Sequence, residues 1–259
     1  MSKVYQIQSY LKFLIRSTNQ HGVHSPFVFD LVTKCFYDKS NHVAYKTIKD
    51  YINQLLKSNQ TIDVKDLGSG SQVFKTNSRL VSKMAKVAGS SFKEAKLLYR
   101  LSNYFQFNSI LELGTSLGIA THAMHLGSPK ATITTIEGCP NISEFTKHTF
   151  NNFNLKNIEV MTGHFNSNLP NLKNNTYDLI YFDGNHQKEA TLHYFETLLP
   201  TSHNNSVFIF DDIYWSKDMT DAWVSIKNHP KVTVTIDTYH FGLVFFRKEQ
   251  AKEHFTIRV

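Results

Sequence analysis

From Ser109 onward the chain alternates short apolar runs with stretches whose apolar residues recur at helical spacing. The runs are "SILELG", "ATITTIEG", "NIEVMTG", "YDLIYFDG" and "SVFIFDD". A strand buried on both faces needs such a nearly unbroken apolar run, and alternation with helices predicts a parallel sheet covered on both sides. In "SKDMTDAWVSIKNHP", Met219, Ala222, Trp223 and Ile226 share one helical face. The chain ends in "KVTVTIDTY" and "FGLVFFRK", parted only by His240 and its neighbours. That gap is too short for a helical crossover, so these two strands are expected to pair antiparallel.

The first hundred residues read differently. Helices are expected over 4–18, from Pro26 with Ser25 as its cap, over 44–57, and over roughly 77–87 and 91–105. Between them, "TIDVKDLG" alternates Asp63 and Lys65 with Ile62, Val64 and Leu67, the pattern of a half-exposed or edge strand. The expected division is therefore a helical accessory segment, 1–90, and an α/β domain, 91–259.

Composition narrows the class. The chain has 259 residues, 41% of them hydrophobic, which suits one sizeable soluble domain with an accessory segment. Cys35 and Cys139 have neither pairing nor metal-ligand spacing, so a reducing, cytoplasmic location is expected. No run reaches the roughly 20 apolar residues of a membrane span. The net charge of +7 is partly concentrated. Lys75, Arg79, Lys83, Lys86, Lys93, Lys96 and Arg100 stand opposed only by Glu94, as a solvated helical face or as a phosphate-binding surface.

Two stretches have the form of a glycine-rich strand–loop–helix turn: "DLGSGSQVF", from Asp66, and "ELGTSLGIA", from Glu112. The second follows an apolar strand, and a carboxylate, Glu137, closes the next one. A carboxylate about 20 residues on, at that strand end, is placed to accept hydrogen bonds from a ribose. Nothing comparable follows Asp66, so the second loop is the expected cofactor loop. Gly114 and Gly118 are separated by Thr115, Ser116 and Leu117, which omits the middle glycine of a dinucleotide site, and no Gly-Lys-Ser/Thr follows. The first loop reads either as a flexible cover over the active site or as a plain turn.

The ordered set Glu-Leu-Gly-Thr-Ser-Leu-Gly, Glu137, "FDGNH" and "FDDIYW" resembles the class I S-adenosylmethionine-dependent methyltransferases. It is similar in particular to the catechol and caffeoyl-CoA O-methyltransferase branch and its relatives with Asp-Gly-x-His. The resemblance spans about 91–247. It implies a doubly wound, Rossmann-like, seven-stranded sheet with the last strand antiparallel. Glu112, Gly114 and Gly118 then surround the methionine part of S-adenosylmethionine, and Thr115 and Ser116 supply donors to its carboxylate. Glu137 holds the ribose, while His164, Phe165 and Asn166 form the adenine loop.

Asp183, Asp211 and Asp212 directly follow apolar runs. Carboxylates there need partners, from a metal or from the amides of the next helix. The resemblance implies a divalent cation such as Mg²⁺ on these three, with Asp212 standing where the family has asparagine. Asp183 is also expected beside the cofactor. His186 occupies the place of the family's lysine base and titrates near neutrality. The implied activity is methyl transfer to an oxygen of a small-molecule acceptor. An RNA methyltransferase using residues 75–100, or a non-catalytic cofactor-binding protein, are the alternatives.

Overall fold

The computed structural model describes residues 3–65, 76–87 and 89–259. These belong to two compact units: Met1–Tyr37 with Leu169–Val259, here the terminal unit, and Asp38–Asn168, the middle unit. The first elements are α1 (Lys3–Arg16), which buries Ser9 and Phe13, and α2 (Pro26–Leu31). The second begins as its sequence predicts. Ser25 Oγ accepts the Val28 N–H, and Pro26, with no N–H to satisfy, takes the first helical position.

In the middle unit, α3 (Val43–Leu56) buries Ile48, Tyr51 and Leu55 at helical spacing. Strands β1 (Thr61–Asp63) and β2 (Ser78–Leu80) pair antiparallel as a separate two-stranded sheet. Only Ile62 of β1 is buried, matching the half-exposed alternation of "TIDVKD". The helix expected over 77–87 starts later, as α4 (Val81–Val87), because residues 78–80 extend to satisfy the backbone of β1. The first glycine loop and its expected cover role fall on residues 66–75, outside the described residues. Helix α5 (Phe92–Phe105) opens with a reciprocal cap in which Ser91 Oγ accepts the Glu94 N–H and Glu94 accepts the Ser91 N–H.

The cofactor-type repeat follows: β3 (Ser109–Leu113), α6 (Ile119–Gly127), β4 (Thr132–Glu137), α7 (Pro140–Asn152), β5 (Ile158–Thr162) and α8 (Phe165–Leu172). β4 lies between β3 and β5, parallel to both. Helices α5 and α6 touch backbone to backbone at Gly127, where a Cβ would come within 2.4 Å of the Tyr99 carbonyl oxygen. The basic stretch is partly engaged within this unit. Lys96 Nζ sits 5.2 Å from the ring centres of both Tyr45 and Phe92, and Arg100 reaches the Asp38 carbonyl.

The terminal unit continues with β6 (Leu179–Phe182), α9 (Lys188–Leu198), β7 (Val207–Phe210), α10 (Lys217–Asn228), β8 (Val234–Asp237), β9 (Gly242–Phe245) and β10 (Glu253–Thr256). β6 and β7 are parallel, and β9 runs antiparallel to both β7 and β8, as the short "TYHF" connection requires. The class is α/β with a mostly parallel sheet, and within the terminal unit the strand order is β10-β8-β9-β7-β6. Strand β10 pairs parallel with β8. Its "EHFT" sequence carries no apolar run because an edge strand needs none. Met219, Ala222, Trp223 and Ile226 of α10 are all buried, and Gly242 opens β9 because a side chain there would strike the Trp223 ring.

Candidate active site

The middle unit assembles the second glycine loop around buried carboxylates. Glu112, near the end of β3, is fully buried, and its Oε2 accepts the hydroxyls of Thr121 on α6 and Thr135 on β4, each at 2.5 Å. Thr135 also shares a 2.6 Å hydrogen bond with Thr115. Burial pushes the Glu112 carboxyl up to about 7, against the lowering effect of the two hydroxyls and with a further push from the Glu137 charge. The loop above this network curls through left-handed backbone at Gly114 (φ 110°), Ser116 (φ 46°) and Gly118 (φ 75°). The Gly114 and Thr115 N–H groups both donate to the Ile136 carbonyl, which ties the loop to β4.

Gly118 is required on steric grounds as well. A Cβ there would lie 2.4 Å from Phe150 Cε1 and 2.9 Å from the Tyr51 hydroxyl. That hydroxyl donates to the Leu117 carbonyl, so α3 and α7 press on the start of α6 from outside the loop. Glu137 closes the arrangement. Its Oε2 accepts the Ser116 N–H at 2.9 Å and its Oε1 the Cys139 N–H at 2.8 Å. The next loop is anchored to the same residue. The Gly163 N–H donates to the Glu137 carbonyl, and His164, Phe165 and Asn166 follow, the first and third exposed and Phe165 half-buried.

The structure thus joins Glu112, Gly114, Thr115, Ser116, Gly118 and Glu137 in one hydrogen-bonded unit, with residues 164–166 on the adjoining turn. The strand leading to the first glycine loop ends nearby. The Lys65 N–H donates to Cys139 Sγ, and Asn141 Nδ2 donates to the Asp63 carbonyl. Thr121, Thr135, Tyr51 and Phe150 were not foreseen from sequence. Only Thr135, a hydroxyl inside a buried strand, left a readable trace.

The remaining candidates belong to the terminal unit, at the carboxyl ends of β6 and β7. His186 Nε2 stands 3.7 Å from Asp183 Oδ1, and both side chains are about four-fifths buried, with 20% and 23% exposed. Burial draws the imidazole below its ordinary pKa, while the Asp212 charge opposes this. The Trp215 ring lies beside His186 at 6.1 Å. A recess of about 230 Å³ is lined by Gln6, Asp212, Tyr214, Trp215, Tyr239 and His240.

Asp211, one of the three expected cation ligands, accepts hydrogen bonds from within the terminal unit. Its Oδ2 accepts the Tyr181 hydroxyl and its Oδ1 the Asp212 N–H, both at 2.9 Å. Among the described residues no three His, Cys, Asp or Glu side chains are grouped to hold a metal.

The methyltransferase-domain family profile matches residues 111–213, from β3 through the turn after β7. The chain carries a methyltransferase domain. It is an enzyme of the methyl-transferring class, as its motif order predicts. Among solved structures, this methyltransferase chain is similar to a methyltransferase of Podospora anserina bound to S-adenosylhomocysteine. Identity is 14% and the TM-score 0.58, over 87% of this chain and 97% of that one. An O-methyltransferase of Bacillus cereus, also with S-adenosylhomocysteine, is 18% identical with a TM-score of 0.53, covering 81% and 94%. The O-methyltransferase TomG of Streptomyces achromogenes, involved in tomaymycin synthesis and solved with S-adenosylmethionine, is 17% identical with a TM-score of 0.55, covering 80% and 91%. At these identities the likeness concerns the fold. No curated protein matches the chain.

Proposed function

We propose that the enzyme transfers a methyl group from S-adenosylmethionine to an oxygen of a small-molecule acceptor. The observation that carries this reading is the loop from Gly114 to Gly118, stapled to Glu137 through the Ser116 amide. It presents a helix start, suited to the methionine carboxylate, next to a carboxylate suited to ribose hydroxyls. His164, Phe165 and Asn166 are assigned to the adenine. The cofactor-bound neighbours support the choice of cofactor.

In this reading the acceptor occupies the recess beside Asp212 and Trp215, and His186 takes its proton. An imidazole with a lowered pKa is neutral at pH 7 and ready to accept one. Asp183, facing Nε2, favours the tautomer with the proton there, leaving Nδ1 as the basic atom, and Asp183 and Asp212 then stabilise the imidazolium that forms. The acceptor oxygen attacks the sulfonium methyl carbon in line, the carbon–sulfur bond breaks, and S-adenosylhomocysteine leaves. Positioning and proton removal carry the rate, with no step assigned to a metal. The test is methyl transfer from labelled cofactor to a panel of hydroxylated acceptors, with and without chelator. Transfer that survives excess chelator is expected. Strict dependence on added Mg²⁺ would overturn the metal-free route, and absence of S-adenosylhomocysteine binding would overturn the cofactor assignment.

A further inference from the structure

Helix α1 has two apolar faces, and the terminal unit uses only one. Phe13 and Ser9 are buried inward, Tyr5 donates to Thr220, and Gln6 donates to the Trp215 carbonyl. On the opposite side, Val4, Ile7, Leu11 and Ile15 recur at steps of three and four residues and are 59%, 60%, 55% and 85% exposed. Four aliphatic side chains aligned over three turns are not scattered surface residues, and water gains nothing from contact with them.

The charges around this stripe indicate what covers it. "KVYQIQSYLKFLIR" contains Lys3, Lys12 and Arg16 and no acidic residue. Arg258 adds a fourth cation at the helix end, donating to the Leu14 carbonyl at 2.9 Å. A second copy of the chain seated here would set cations against cations. The stripe is also small for that purpose. A helix of 14 residues is about 21 Å long and about 10 Å wide, an area on the order of 200 Å², well short of the roughly 800 Å² per partner of a stable interface. An anionic lipid surface suits both features, because it accepts a narrow apolar stripe and neutralises flanking lysines.

We propose that the outer face of α1 docks this enzyme onto an anionic lipid bilayer surface. The helix lies in the headgroup region with Val4, Ile7, Leu11 and Ile15 directed into the acyl boundary, and Lys3 and Lys12 reach the phosphates. A recess of about 350 Å³ lined by Lys3, Gln6, Ile7, Tyr10, Leu11 and Tyr239 opens on this face. It shares Gln6 and Tyr239 with the recess that holds Asp212, so a bilayer on α1 would lie against an entrance to the candidate acceptor site. The docking itself does not depend on the methyl-transfer reading.

The experiment is cosedimentation of the full chain with vesicles of phosphatidylcholine alone and of phosphatidylcholine with phosphatidylglycerol. Sedimentation velocity without lipid runs in parallel. Partition into the anionic vesicles, weakening as salt rises, is expected. The double variant Ile7→Ser with Leu11→Ser should lose at least about tenfold in partition, since two side chains no longer leave water. Lys12→Glu should also weaken binding, and both variants should melt like the parent because the altered side chains are exposed. Equal partition of parent and double variant, equal binding to both vesicle types, or no binding to either would overturn the proposal. A parent dimer dissociated by the double variant would assign the stripe to a second copy and overturn it as well.

Discussion

Glu137→Ala tests the cofactor assignment where geometry gives a magnitude. In the resting enzyme this carboxylate holds two backbone N–H groups, those of Ser116 and Cys139, at 2.9 and 2.8 Å, and it is only 9% exposed. Removing it leaves both amides without their acceptor, which costs about 1–3 kcal/mol of stability because the site is nearly dry. Binding is affected separately. Two ribose hydroxyls lose a charged acceptor, and the loop that carries Ser116 loses its staple. The sum should weaken S-adenosylhomocysteine binding by about 2–3 kcal/mol, roughly 30- to 150-fold in Kd. Titration calorimetry gives the Kd, and urea denaturation of the same samples gives the stability. Glu137→Gln retains one acceptor oxygen and should fall between parent and Ala in both measurements. Asp66→Ala, in the other glycine loop, should leave the Kd unchanged. A Glu137→Ala enzyme binding within about twofold of the parent, or a larger loss from Asp66→Ala, would refute the assignment of the second loop.

Other perturbations probe separate parts of the site. Gly118→Ala adds left-handed strain of about 1–2 kcal/mol and a clash with Phe150 and Tyr51 of about 1–3, so urea denaturation should show a loss of about 2–5 kcal/mol. For Glu112 the folded pKa, about 7, lies above its ordinary 4.5. Its contribution to stability is therefore fully present below pH 4.5 and is lost as pH rises through 7, on the order of 3 kcal/mol in all; Glu112→Gln should remove that slope from stability measured between pH 5 and 8. His186→Ala should lower kcat by about 10²- to 10⁴-fold while leaving S-adenosylhomocysteine binding unchanged by calorimetry. Because burial lowers the His186 pKa, the acid limb of the parent's kcat profile should fall below pH 6.5, and the same limb persisting in the residual activity of His186→Ala would reassign the proton acceptor.

The fold class was legible because its signals are local. A strand buried on both faces needs a nearly uninterrupted apolar run; "LIYF" and "VFIF" have one, and after Ser109 "SILEL" is broken only by Glu112. Ser25 and Pro26 announce a helix start through a hydroxyl acceptor and a missing N–H. The antiparallel pairing of β8 and β9 followed from a connection too short to cross over. Glu137 could be picked out because a carboxylate closing a buried strand must have donors, and the spacing from Gly114 put it beside the loop.

Other features depended on contacts between residues distant in sequence. That Gly118 cannot be replaced depends on Phe150, 32 positions later, and on Tyr51, 67 positions earlier. The Glu112–Thr121–Thr135–Thr115 network joins three elements whose hydroxyls look ordinary in a linear chain. β10 carries no strand pattern, since one open edge of β8 was enough to recruit it. The fate of Asp211 was decided the same way. Three aspartates after two strands read as a cation site, and only packing shows that the Tyr181 hydroxyl and the Asp212 amide both reach one of them, Asp211. Sequence spacing brings charges to a strand end; which partner reaches them first is a matter of packing.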